Sequence, residues 1–237
     1  MERIDKLLAN TGRWSRKDAK ELIRAGRVTA GGRHVLRAEE KCEADDIRVD
    51  GEPLTCGQNV YLMMNKPTGV LSATEDSRQP TVLDLLPEHL RRVGLFPVGR
   101  LDKDTEGLLL LTNDGALAHG LLSPKRHVDK VYLARTEGVV DEADVKAFAA
   151  GMTLGDGLVC QPAGLEPLPG ENAALVTLRE GKFHQVKRML AARGKPVLAL
   201  RRLSMGPLKL DLSLRSGQWR PLEASEIDDL CRAAGIL

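Results

Sequence analysis

A chain of 237 residues, 42% hydrophobic and 29% charged, is long enough to bury one large or two smaller cores and has the composition of a soluble globular protein. Aromatic residues make up only 3%, which excludes a broad stacking surface for nucleic-acid bases and leaves any stacking to a few rings. The net charge of +2 conceals two basic clusters: residues 1–37 carry ten lysines and arginines against four acids, and residues 179–202 carry eight against Glu180 alone. Two separated basic patches point to an extended polyanion rather than a small acidic metabolite.

No apolar run approaches the roughly 18 residues of a membrane span. The start, Met1-Glu2-Arg3-Ile4-Asp5-Lys6, places charges where a signal peptide needs an apolar core, so a cytoplasmic protein without a membrane partner is expected. Cys42, Cys56, Cys160 and Cys231 include no C-x-x-C pair, which argues against a zinc site or a disulfide framework.

In chain order, Ile4, Leu7 and Leu8 predict a first amphipathic helix. Ala19, Leu22 and Ile23 predict a second, after the capping candidate Ser15 and before the stop at Gly26. Arg27-Val28-Thr29 and His34-Val35-Leu36 flank Ala30-Gly31-Gly32-Arg33, the composition of a tight hairpin, and Ile47-Arg48-Val49-Asp50 adds a third short strand. Arg3, Lys6, Arg13, Ser15, Arg16, Lys17, Lys20, Arg24 and Arg27 are the candidate RNA-contacting residues, polar groups able to face phosphates from the side away from the helix core. This order of short basic helices, Gly26 to Gly32, and Asp46-Ile47-Arg48-Val49-Asp50-Gly51 resembles the S4 RNA-binding domain. The resemblance implies structured RNA as the ligand and implies no reaction.

Pro53, Thr55, Gly57, Gln58 and Asn59 break the pattern and set an expected boundary between domains 1–58 and 59–237. Beyond it, strands are predicted over 60–64, 70–72, 130–135, 174–178 and 197–200, and helices over 81–86, 116–122, 142–150, 184–193 and 225–234. Strands joined by turns outnumber helices. The expected fold class is therefore α+β: a small S4-like module followed by a larger domain with a mixed, largely antiparallel sheet.

The stretch Gly99 to Gly107 sets Asp102, Asp104 and Glu106 between Phe96-Pro97-Val98 and the run Leu108-Leu109-Leu110-Leu111, which reads as a buried strand. A carboxylate thus stands where a core begins. No G-x-S-x-G elbow, Walker loop or H-E-x-x-H occurs, the five histidines lack metal-ligand spacing, and no nucleotide-binding glycine fingerprint is present. Chemistry without a cofactor or metal is expected.

Gly99 to Gly115 closely resembles the G-R-L-D-x-D-T-x-G-L-L-L-L-T-N-D-G motif of pseudouridine synthases, specifically the RsuA-like branch that isomerises uridine in bacterial ribosomal RNA. Met64-Asn65-Lys66-Pro67-Thr68-Gly69 resembles the N-K-P-x-G motif, Lys130-Val131-Tyr132 resembles K-x-Y, and residues 180–189 resemble the third core motif. The resemblance implies Asp102 as the carboxylate that forms or stabilises the intermediate while the C1′–N1 bond breaks and C1′ joins C5. It implies Lys187 as the cation that keeps Asp102 ionised, and Tyr132 as the ring against the uracil, with its hydroxyl in proton transfer at C5. Arg100 resembles the residue that fills the vacancy left by the extruded uridine, with His184 and Gln185 as further substrate contacts. Asp104, Thr105 and Glu106 are expected to hold the loop rather than react.

Phe183-His184-Gln185 is closer to small-subunit enzymes than to large-subunit ones, which tend to have N-R-Q there. The expected partner is therefore 16S ribosomal RNA or a small-subunit assembly intermediate, bound by a monomer. The alternatives are a 23S ribosomal RNA synthase and an inactive S4-containing RNA-binding or assembly factor; Asp102, Tyr132 and Lys187 together argue against the latter.

Overall fold

A computed structural model describes residues 1–11, 14, 16–54 and 59–236. Arg13, Ser15 and most of the expected linker, 55–58, lie outside the described residues. Contacts divide the chain into two units, Met1–Val60 with Leu86–Phe96, and Tyr61–Leu85 with Pro97–Leu237.

In the first unit the stripe Ile4, Leu7, Leu8 is the buried face of α1 (Ile4–Asn10), and Ala19, Leu22, Ile23 that of α2 (Arg16–Arg24). Strands β1 (Val28–Ala30), β2 (Arg33–His34), β3 (Ile47–Val49) and β4 (Glu52–Pro53) form an antiparallel sheet in the order β2-β1-β3-β4. Gly31 and Gly32, both at positive φ, close the β1–β2 hairpin, where a primed turn matches the strand twist. Val28 pairs with Val49 and Ala30 with Ile47, so all four share the face buried with the two helices. Burying each aliphatic side chain there contributes about 1.5–3 kcal/mol.

The second unit is built on a sheet of β5 (Tyr61–Lys66), β6 (Thr105–Thr112), β7 (Lys130–Thr136), β8 (Gly164–Pro167), β9 (Ala173–Leu178), β10 (Val197–Met205) and β11 (Trp219–Pro221). Its order is β8-β9-β7-β10-β6-β5-β11, with every neighbouring pair antiparallel except β10 and β6. This is the expected α+β class. Leu108 to Leu111 are fully buried at its centre, which is why the run lacks alternation. The helices are α3 (Gly115–Leu122), α4 (Glu142–Ala150), α5 (Gln185–Ala192) and α6 (Ala224–Ala234). Asp114 caps α3 by accepting from the Leu117 amide at 2.9 Å, and Asp141 and Asp144 form a capping box at α4.

Three sequence expectations change. The helix over 81–86 is a 3₁₀ turn, Val82–Leu85, because Pro80 and Pro87 bracket it and the Asp84 carboxylate captures the Thr81 amide and hydroxyl. The strand over 70–72 reduces to one bridge between Leu71 and Thr81. The strand over 197–200 instead continues to Met205, since Arg202 is buried and donates from Nε to the Leu108 carbonyl at 2.7 Å.

The parallel β10–β6 pair depends on Gly107. Its φ is +103°, and a Cβ there would overlap the Arg202 carbonyl oxygen, so only glycine lets the two backbones meet. That contact fixes the strand immediately after Asp102.

Candidate active site

The loop carrying Asp102 is held by the last residue of β5 and the segment after it. Lys66, fully buried, donates from Nζ to the carbonyls of Pro67 at 2.9 Å, Asp102 at 3.1 Å and Thr105 at 2.9 Å. The Ser72 hydroxyl donates to the Leu101 carbonyl at 2.9 Å and accepts from its amide at 3.0 Å, and the Gly69 amide donates to the Lys103 carbonyl. Within the loop the Thr105 amide donates to the Asp102 carbonyl at 3.1 Å. A loop tied at this many points presents its carboxylate in one place.

That carboxylate faces helix α5. Lys187 Nζ lies 2.9 Å from Asp102 Oδ2 and 2.5 Å from Asp104 Oδ1, so one ammonium serves two acids. Burial works against the Lys187 charge, but hydrogen bonds to Asp104 and Asp102 outweigh it and hold the ammonium above its ordinary range. The same bond, followed by opposing desolvation, holds the Asp104 carboxyl below its own. His184 Nε2 is 3.5 Å from Asp102 Oδ1. Arg188, one position along α5, turns away and pairs with Asp156 instead.

Lys130 and Tyr132 on β7 share a buried face, as their spacing predicts, while Val131 between them is half-buried. Opposite Tyr132 the β7–β10 register slips, passing from Ser204 to Arg202 and leaving Leu203 unpaired. Such a bulge twists the strand locally beside the aromatic ring. Tyr132 lines the same cavity as Asp102, Arg100, His184 and Gln185, between walls that include Leu101, Leu178, Val186 and Leu200. The Tyr132 hydroxyl makes no hydrogen bond among the described residues, and Arg100 is exposed and makes no ion pair among them. Gln185 borders the cavity, but its amide is engaged: Nε2 donates to Glu180 at 2.5 Å and Oε1 accepts from the Lys182 amide at 3.1 Å.

In the first unit the candidate RNA contacts divide. Arg3 pairs with Asp5 at 2.8 Å, Lys6 with Glu2 at 2.6 Å and Arg27 with Asp50 at 2.5 Å. Arg16, Lys17, Lys20 and Arg24 are exposed on α2. At about 100° per residue, Lys17, Lys20 and Arg24 fall within about 60° of one another, opposite Ala19, Leu22 and Ile23. None of these three forms an ion pair among the described residues, so their charge is available to a phosphate backbone.

Residues 60–192 match the RNA pseudouridylate synthase family, and residues 2–47 match the S4 domain. The chain belongs to the RNA pseudouridine synthase family. It is 47% identical over 230 residues to a Bacillus subtilis protein named uncharacterized RNA pseudouridine synthase YtzG, covering 95% of this chain and 96% of that one. It is 45% identical over 233 residues to ribosomal small subunit pseudouridine synthase A of Pseudomonas aeruginosa, covering 95% and 98%. A solved pseudouridylate synthase structure superposes with a TM-score of 0.69 at 37% identity, covering 97% of this chain and all of that one. The chain is thus an RsuA-family enzyme that acts on RNA and isomerises uridine to pseudouridine.

The synthase places one functional lysine that sequence reasoning left without a role. Lys66 is legible only as part of the N-K-P-x-G turn, yet it is the hub of the Asp102 loop. Burial pushes its ammonium down to about 8, against the opposing pull of Asp104 and Asp102. Between pH 8 and 10.5 the native chain therefore loses this proton while the unfolded chain keeps it, so the Lys66 contribution to stability rises with pH across that window. Urea unfolding should show the stability difference between wild type and Lys66→Met moving in favour of wild type, by about 2–3 kcal/mol, from pH 8 to 10.5. A difference independent of pH would remove the buried charge from this account.

Proposed function

We propose that the synthase isomerises one uridine of ribosomal RNA, in the 16S RNA of the small subunit or an assembly intermediate, with Asp102 as nucleophile. The observation that carries this reading is the Asp102–Lys187 pair, 2.9 Å apart, with Asp102 lining one cavity with Tyr132. Isomerisation breaks C1′–N1, forms C1′–C5, removes the proton from C5 and adds one at N1. In this reading the Asp102 carboxylate beside the Lys187 ammonium supplies the nucleophile, and the Tyr132 hydroxyl moves the C5 proton. Residues 1–58 hold folded RNA in this reading, and residues 59–237 carry the reaction. The small-subunit target is supported by Phe183-His184-Gln185 and by the name of the Pseudomonas aeruginosa relative.

The test uses ribosomal RNA carrying tritium at uracil C5, from which turnover releases tritium to water. Carbodiimide mapping of both ribosomal RNAs from a deletion strain should show one pseudouridine missing from the small-subunit RNA. Loss from the large-subunit RNA would transfer the assignment there, and no loss from either would refute it.

Changing Lys17, Lys20 and Arg24 together to alanine should reduce the slope of log affinity against log salt by about 2–3, because each phosphate contact contributes about 0.9. Filter binding over a salt series measures it. An unchanged slope would place the RNA elsewhere.

A further inference from the structure

Phe183 is 74% exposed beside the cavity, in a chain with only three phenylalanines. Its ring is not free to swing. It stacks on the His184 imidazole with centroids 3.8 Å apart and planes 19° from parallel. The short loop that carries it is clamped on both sides. Glu180 accepts from the Gln161 amide and the Gln185 side chain, and Gln185 in turn accepts from the Lys182 amide and donates its own amide to the Lys182 carbonyl. His184 is held at φ +50°, a left-handed conformation that non-glycine residues adopt only when their surroundings impose it.

A rigid, exposed apolar ring contributes nothing to the core, and its ordering is already complete before any partner arrives. The inner member of the stack, His184, is 3.5 Å from the Asp102 carboxylate and lines the cavity. Arg100, which lines the cavity and makes no ion pair among the described residues, supplies positive charge nearby. A flat, electron-rich partner attached to a polyanion fits this setting.

We propose that Phe183, backed by His184, is a stacking platform for an RNA base adjacent to the target uridine, continuing the order base, Phe183, His184. The inference rests on the proposed action on ribosomal RNA and adds a subsite for a neighbouring nucleotide. The platform positions the strand and does not touch the reacting atoms.

Phe183→Ala, Phe183→Leu and Phe183→Trp are compared on ribosomal RNA tritiated at uracil C5, with affinity for the same RNA measured by filter binding. Stacking on one base is worth roughly five- to hundredfold in binding, so Ala and Leu should both raise KM and Kd by that factor with kcat within about threefold. Trp should match wild type, and its added emission should be quenched when RNA binds. Wild-type KM in the Leu variant, a fall in kcat at unchanged KM, or unquenched Trp emission at saturating RNA would each overturn the platform; the first would be expected of a docking site for protein. Wild-type enzyme that releases no tritium refutes the ribosomal RNA reading instead, and the quenching and affinity measurements then still decide on the platform.

Discussion

Asp102→Asn is expected to lower turnover by at least about a thousandfold, read as tritium release from C5-labelled ribosomal RNA, while RNA affinity stays within a few fold. The substitution keeps size and shape, so the loop fastened by Lys66, Ser72 and Gly69 has no reason to move. Lys187 retains Asp104 as its partner, and the lost ion pair is partly solvated, at 20% and 26% side-chain exposure. The stability cost is accordingly about 1 kcal/mol, or a few degrees in Tm. What disappears is the negative charge that can attack or stabilise a carbon centre. Retained turnover in Asp102→Asn would take Asp102 out of the mechanism. A collapse of RNA affinity would instead make it a binding residue.

Lys187→Met should lower kcat by about a hundredfold or more, read as tritium release from the same RNA. Methionine keeps the length of the side chain but leaves two carboxylates, Asp102 and Asp104, around a place where the ammonium stood at 2.9 and 2.5 Å. An ammonium stabilises the deprotonated form of an acid beside it, as the lowered Asp104 shows, so its removal leaves two carboxyl groups facing each other with no cation between them. The Lys187 ammonium is itself held above its ordinary range by the two acids, so the substitution removes a full positive charge. Lys187→Arg restores a cation and should recover part of the rate. Wild-type kcat in Lys187→Met would show that Lys187 serves only to join α5 to the loop.

These two residues are 85 positions apart, and nothing in their local sequence brings them together. The resemblance of their motifs to a family predicted the pair. The residues alone offered an acid beside a buried strand and a lysine on a helix. Two helices were legible from sequence: α2 from the period of Ala19, Leu22 and Ile23, and α4 over 142–150. The short strands β8 and β11 were not. Gly164–Pro167 and Trp219–Pro221 contain proline and lack alternation, and they are strands only because β9 and β5 offer them an edge. The strand predicted over 197–200 stopped before Arg201 and Arg202, although burial of Arg202 and the Leu108 carbonyl carry β10 through them.

Composition, period and motif by themselves determined the α+β class, the basic face of α2 and the buried leucine strand. The tertiary structure decided how charge is shared at the site. Lys187 divides itself between Asp102 and Asp104, Lys66 gives up its solvation to three loop carbonyls, and Gln185 is committed to Glu180 and Lys182 while Phe183 stays exposed. The physical reason is that periodicity depends on near neighbours in the chain. The strength of a charge or a hydrogen bond depends on which distant groups exclude water from it.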